Sequence, residues 1–416
     1  MEDTIIVGID IGTSKVCTLI ARADDQKRFH MLGVGIEPSK GIRKGAIVDL
    51  NQASKSIRRS IEKAQRTSGM EISAAFVNLA DTGAKSTNNH GVVGVSGKMI
   101  EQGDIDRALD AAKAIPLDHN YDIIHVIQRG FTVDGNDGIR KPIGLYGYRM
   151  EVEAHIISAE ASSIENINQS VNQNGVKVLN YVLNPLASGL AVLSDTEKQM
   201  GVILCDIGAG TTNIAIYIDG DVWYSKVLPI GGDHITSDIA AGLRLATEEA
   251  EEVKKNNGHA LEEDINPNEA FVVHSFGSNE PSHVSRKTLA HIIEARVEEI
   301  FYMVLQEIKR SGYDGLLPAG MVLTGGTSLL PGIQELAGRV MGLSVRLAQP
   351  ENLYGLVDQL HSPAYSGSVG LLHWAMLYLE AEYNRQGKRI KNAPEEKNQS
   401  KSFKDIVSEI LKQLLP

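Results

Sequence analysis

Two cysteines in 416 residues, Cys17 and Cys205, are too few for a disulfide framework or a zinc site. Both lie in apolar, strand-like runs and are expected to be buried thiols of a protein in a reducing cytosol. Basic charge is also short: 41 Lys and Arg against 52 Asp and Glu leave a net charge of −11. That balance argues against a general nucleic-acid binder, because phosphate-backbone binding depends on basic patches that release counterions. No run reaches the ~18–20 apolar residues that a spanning helix needs. Met1-Glu2-Asp3-Thr4 leads into a strand-like run without a secretory hydrophobic region. Any membrane association is therefore expected to be peripheral. Absent too are a G-x-G-x-x-G after the first strand and any G-K-[ST], so this is neither a Rossmann nor a Walker phosphate loop.

What is present is ordinary for a globular protein, with 42% hydrophobic and 22% charged residues. The length exceeds what one hydrophobic core usually serves, so two or more domains are expected. An internal echo says where they begin. Ile5-Ile6-Val7-Gly8-Ile9-Asp10-Ile11-Gly12-Thr13-Ser14 is matched by Val202-Ile203-Leu204-Cys205-Asp206-Ile207-Gly208-Ala209-Gly210-Thr211-Thr212. In each copy an apolar strand runs into Asp-Ile-Gly, then small and hydroxyl residues, then a second β-rich run. This is a hairpin with a tight glycine turn, and its repetition predicts two similar α/β halves.

A turn that cradles phosphates needs a backbone able to approach an anion, inward N–H groups, and hydroxyls or a lysine as further donors. Gly12-Thr13-Ser14-Lys15 and Gly208-Ala209-Gly210-Thr211-Thr212 meet that description. Asp10 and Asp206, one at the end of each strand, are placed to hold the waters of a magnesium ion bridging the phosphates. A single D-x-G-T is no more than a β-turn. Two copies at matching positions, with a third turn at Gly325-Gly326-Thr327, predict a nucleotide site.

Between the halves, residues 85–159 read as strand, helix, then several strands, about the size of a small inserted domain. The helix is predicted over 104–114 from Ile105, Ala108, Leu109 and Ala112. Leu289, Ile292, Ile293, Val297, Ile300, Phe301, Val304, Leu305 and Ile308 mark one face of a long amphipathic helix. The globular part is expected to end with a helix over 370–382, followed by a polar, disordered linker over 384–401. From 385 to 404 there are seven basic residues against Glu395 and Glu396. Phe403, Ile406, Val407, Ile410, Leu411, Leu414 and Leu415 then keep an i, i+3, i+4 pattern, the other face being polar. Such a segment reads as an interfacial anchor for an anionic membrane on a flexible tether, or as a helix that docks in a protein groove.

The first hairpin resembles the phosphate-1 motif of actin, hexokinase and DnaK-type chaperones, and 206–212 resembles phosphate 2. Residues 322–327 look like the adenosine motif, and 184–189 and 366–370 like the two connecting helices. The run Ala250-Glu251-Glu252-Val253-Lys254 is similar to the bacterial-actin segment that reaches adenosine, which implies contacts from Glu251 and Lys254. Gly91-Val92-Val93-Gly94-Val95-Ser96-Gly97, Asp104-Ile105-Asp106-Arg107-Ala108-Leu109, 122–133 and Pro142-Ile143-Gly144 resemble the FtsA family of bacterial cell-division proteins, a likeness that runs from Ile5 to Pro416. The resemblance implies an α/β, actin-like duplicated two-domain fold with a small α+β domain inserted in the first half and a C-terminal amphipathic helix. The implied divisions are 1–84 with 160–200, the insert 85–159, and 201–383 with a subdomain near 235–315, then the linker and the helix of 402–416.

It further implies an ATP- and magnesium-binding scaffold that polymerises on the inner face of the cytoplasmic membrane at the division site. There it would anchor FtsZ filaments and recruit later division proteins. Arg286, Arg296 and Glu299 lie at positions resembling the groove for the FtsZ C-terminal tail. One position departs from related ATPases: Asn184 stands where a Glu or Gln often orients the attacking water. Weak or no hydrolysis is expected, with no confident catalytic residue. A pilus-assembly ATP-binder of the PilM type would share the insert but not need the tethered tail. A sugar kinase would need a catalytic aspartate that is not evident. A DnaK-type chaperone would need a β-rich substrate domain after the ATPase halves.

Overall fold

The structure is a computed structural model that describes residues 4–24, 28–274, 276 and 281–391. Its frame is one sheet plan used twice. In the first half, Thr4–Ile11 pairs antiparallel with Lys15–Ala23, which pairs antiparallel with Phe29–Pro38. On its other side Thr4–Ile11 runs parallel to Ala74–Leu79, itself parallel to Lys177–Leu183. The second half repeats the order: Asp221–Leu228, Thr212–Ile218 and Val202–Ile207 form the meander, and Met321–Thr324 and Val345–Leu347 add the parallel strands. The first sheet gains one extra edge strand, Leu353–Gly355.

The strands that begin the repeats are mostly apolar up to their aspartates, because helices or other elements cover both faces. Val202–Ile207 and Thr212–Ile218 are buried at every position. Cys17, in Lys15–Ala23, and Cys205, in Val202–Ile207, are buried, unpaired thiols. In the second half the long helix Arg286–Ser311 lays Leu289, Ile293, Val297, Ile300, Phe301, Val304 and Ile308 on the core. Ser285 caps its start, accepting from the Lys287 N–H, and Gly312 ends it in the left-handed region (φ 78°).

Residues between the halves build a separate four-stranded antiparallel sheet in the order Lys85–Met99, Tyr146–Glu160, Tyr121–Val133, Asn136–Ile139. The helix Gln102–Ala112 packs on one face around Val95, Ile105, Ala108, Phe131 and Met150. It starts and ends two residues earlier than the apolar spacing predicted, because Asp104 caps its first turn by accepting from the Glu101 N–H at 2.9 Å.

Two helices cross where the halves join, Asn184–Val192 and Ser366–Lys391. Gly370 lets them touch: a Cβ there would stand 1.8 Å from the Ala187 carbonyl oxygen. The second of these helices extends past 382, where the apolar pattern ended it, into the stretch expected to be a disordered linker from 384. Lys, Arg and Gln favour helix there, and Gly387 alone opposes it. The rest of that stretch and the expected amphipathic helix of 402–416, with Phe403, Ile406, Val407, Ile410, Leu411, Leu414 and Leu415, lie outside the described residues.

Candidate functional site

The two glycine turns face each other across one cleft of about 1010 Å³, large enough for a nucleotide-sized ligand. Each turn is closed in the same way: Gly12 N–H donates to the Lys15 carbonyl at 3.0 Å, and Gly208 N–H to the Thr211 carbonyl at 2.8 Å. The turns nearly touch. A Cβ on Gly210 would stand 2.5 Å from Thr13 Oγ1 and 3.0 Å from Lys44 Cα, so only glycine allows this approach. Thr13 Oγ1 also accepts from the Gly45 N–H at 3.1 Å. Lys15 crosses the floor, its Nζ donating to the Ala364 carbonyl at 2.6 Å beside the Tyr365 ring.

Asp10, Gly12, Thr13, Ser14, Lys15, Asn184, Asp206, Gly208, Ala209, Gly210, Thr211, Glu251, Lys254, Gly325, Gly326 and Thr327 all line this cleft. Thr212 does not. It is the first residue of a strand, fully buried, with its hydroxyl donating to the Ile230 carbonyl at 2.8 Å. The strand period turns it away from the cleft. The third turn is locked to the second: Thr327 Oγ1 donates to the Gly208 carbonyl at 2.9 Å. Gly325 sits at φ 89°, where a Cβ would meet Asp206 Oδ1 at 2.3 Å. At the far end, Lys254 Nζ pairs with Glu251 at 2.6 Å and donates to Thr236 Oγ1 at 2.7 Å and the Gly232 carbonyl at 3.0 Å. Thr236 Oγ1 also donates to Glu251 Oε2 at 2.5 Å. Burial works against the charge on Glu251, yet Lys254 and Thr236 hold its carboxyl below the usual range.

The electrostatic feature of the cleft is a pair of buried carboxylates. Burial raises Asp10 above the ordinary carboxyl value, against the pull of Lys15 and a hydrogen bond from Ser368. Burial also pushes Asp206 up to about 6, with the Asp10 charge adding to it and Ser188 opposing it. Two desolvated anions in one cleft, with Lys15 as the nearby cation, favour a bound cation. Among the described residues no three His, Cys, Asp or Glu side chains converge on one point. The donor set therefore suits a hard ion that keeps its waters, as magnesium does, beneath a glycine cradle for phosphates. The turns and their two carboxylates fit a magnesium nucleotide.

Sequence reasoning missed the side chains that hold these carboxylates. Ser368 Oγ donates to Asp10 Oδ2 and Ser188 Oγ to Asp206 Oδ2, each at 2.5 Å. Asn78 donates to Asp10 Oδ1 at 2.5 Å. A polar residue in the otherwise apolar run Ala74-Ala75-Phe76-Val77-Asn78-Leu79 was the available signal.

Arg286, Arg296 and Glu299 lie elsewhere, on the long helix of the second half. Arg286 Nη1 pairs with Glu269 at 2.6 Å and its Nε donates to the Asn257 carbonyl at 2.9 Å. Arg296 is bidentate on Asp238 at 2.5 and 3.0 Å and also pairs with Glu299. Arg286 is thus held at the helix start, and the other two form a cluster against the Gly232–Leu243 helix.

The family model for cell division protein FtsA matches residues 203–370, and that for the SHS2 domain inserted in FtsA matches 82–158. The chain is 39% identical to the cell division protein FtsA of Pseudomonas aeruginosa over 89% of both chains. It belongs to the FtsA family. FtsA of Bacillus subtilis is 38% identical, covering 90% of this chain and 84% of that one, and FtsA of Escherichia coli K12 is 34% identical, covering 89% and 90%.

Solved structures place the FtsA frame among actin-like proteins. The PilM–PilN type IV pilus biogenesis complex aligns with a TM-score of 0.63 at 16% identity, covering 88% of this chain and 97% of that one. MreB5 of Spiroplasma citri bound to ADP aligns with a TM-score of 0.54 at 14% identity, covering 94% and 99%. The fold is the actin-like duplicated pair of α/β domains with an SHS2 domain in the first half. This is an actin-like protein of cell division. Among the described residues no helix is long and apolar enough to cross a membrane.

Proposed function

We propose that this FtsA-family protein binds ATP with magnesium in the cleft and works as a scaffold. It polymerises on the inner face of the cytoplasmic membrane at the division site, holds FtsZ filaments there and recruits later division proteins. The observation that carries the reading is the cleft itself, lined by two duplicated glycine turns, two buried carboxylates and the Glu251–Lys254 pair. ATP serves as an assembly signal more than as fuel. Asn184 supports this, since its amide is tied to Asp206 and an amide is a poor base.

In this scheme 1–84 with 160–200, and 201–383, are the two actin-like halves. The insert 85–159 meets neighbouring molecules, and the region near 235–315 takes the FtsZ C-terminal tail. Arg286, Arg296 and Glu299 then exchange their intramolecular pairs for contacts with that tail. The basic stretch ahead of 402–416 and its apolar face give weak, reversible attachment to anionic lipid. A polymer multiplies that attachment through effective concentration.

Pelleting on anionic liposomes with ATP, with and without an FtsZ tail peptide, tests the scheme. Sedimentation with the vesicles should require the tail of this chain, and the peptide should follow the protein. Turnover as fast as that of a chaperone ATPase, or pelleting indifferent to ATP, would sink it.

A further inference from the structure

We propose that Asn78 is the positioning residue for Asp10 and, through Asn184, joins the carboxylate of one half of the cleft to that of the other. The proposal rests on reading the cleft as a magnesium–nucleotide site. Asn78 lies near the end of the buried strand Ala74–Leu79 and is 2% exposed. Its amide has one permitted orientation. The Ile11 backbone N–H can only donate, and it reaches the side-chain oxygen of Asn78 at 2.6 Å. The NH2 group must then face the other way, and there it meets Asp10 Oδ1 at 2.5 Å and Asn184 Oδ1 at 3.3 Å.

With its own oxygen taken, Asn184 turns its NH2 to Asp206 Oδ2 at 3.2 Å. One backbone N–H thus sets the direction of a relay that runs Ile11, Asn78, Asp10 on one branch and Asn78, Asn184, Asp206 on the other. Ser368 and Ser188 hold the outer ends of the two branches.

The donors are all neutral, and this matters chemically. Arginine or lysine at position 78 would hold Asp10 equally well but would set a positive charge against any cation in the cleft. Amide and hydroxyl donors favour the ionised, oriented carboxylate without cancelling its charge. That is the requirement for a carboxylate that must order the waters of a metal ion. Because the two branches share Asn78, placement of Asp10 and of Asp206 becomes one event.

The test measures the affinity of the full-length protein for a fluorescent ATP analogue across a magnesium titration and in EDTA. Asn78→Ala should raise the magnesium concentration for half-maximal effect about 10- to 100-fold, the usual cost of losing a group that orients a metal's ligand. Affinity in EDTA should stay within about twofold. Asn78→Ser, which keeps one donor, should fall between wild type and N78A. Asn184→Ala, at a half-buried position, should shift the same titration, and the double variant should resemble N78A because both changes break one relay. Equal loss with and without magnesium would show a packing role and overturn the proposal, as would an N78A titration identical to wild type. Wild-type protein that binds no nucleotide would overturn the reading of the cleft itself.

Discussion

Asp206 shows how a single residue ties burial to function. Its carboxyl titrates near pH 6 rather than at the ordinary 3.8, because burial disfavours the charge. Between those values the folded state holds a proton that the unfolded chain has lost. The group therefore favours the fold in acid, and that contribution is lost as the pH rises through 6. Cation binding runs the opposite way, since it needs the carboxylate. The rise in melting temperature produced by magnesium and ATP should be full at pH 7.5 and markedly smaller at pH 5.5, read by thermal scans at both values. Gly210 carries the other residue-scale prediction. Gly210→Val places atoms against Thr13 and Lys44, and an overpacked contact costs about 1–3 kcal/mol. Nucleotide affinity should drop about tenfold or more in a binding titration, while the core of the second half is left alone.

At the scale of elements, the inserted sheet is attached to more than the half that contains it in sequence. Asn88 Nδ2 donates to the Trp223 carbonyl and to Tyr313 Oη, both at 3.0 Å, and Ser86 Oγ donates to the Ser225 carbonyl at 2.9 Å. Arg129 lies 3.6 Å over the Trp223 ring, and Arg140 pairs with Asp221. His155 sits in the middle, between Asn88 Oδ1 at 2.7 Å and Ser225 Oγ at 3.1 Å. Burial holds its pKa down at about 3, with Arg129 adding to the effect. A depressed histidine supports the fold above its ordinary value of 6.5 and withdraws that support as the pH falls below it. His155→Ala should cost about 1–3 kcal/mol at pH 7.5, for two buried hydrogen bonds and the groups left behind. The difference from wild type should shrink toward pH 5, as denaturant melts at the two values would show.

For the whole molecule, the halves share a core around the two crossing helices, where Leu183, Leu186 and Val192 pack with Leu204, Ala215, Tyr217 and Val322. They are also joined by the glycine turns and by the bidentate pair of Arg346 with Glu197 at 2.5 and 2.7 Å. That pair holds the Glu197 carboxyl down at about 2. The proposed membrane attachment belongs to the same scale. Removing residues 403–416 should abolish pelleting with anionic liposomes while leaving nucleotide affinity unchanged. Unchanged pelleting would place the membrane contact elsewhere on the chain.

The sequence by itself determined the duplication, the glycine turns and the inserted block, because these depend on local period and on residues whose conformational needs are short-ranged. The twin Asp-Ile-Gly hairpins, the apolar stripe of the long helix and the alternation around Gly91 were all legible for that reason. It misjudged Thr212, since the turn's last residue already obeys the strand's two-residue period and faces the core. It ended the helix Ser366–Lys391 too soon, having followed only its apolar face. Tertiary structure alone decided that Asn78, Ser188 and Ser368 converge on Asp10 and Asp206, from segments as far apart as 358 residues. A hydrogen bond between distant segments leaves no periodic trace. Only the packed sheets and crossing helices bring those partners within 2.5 Å.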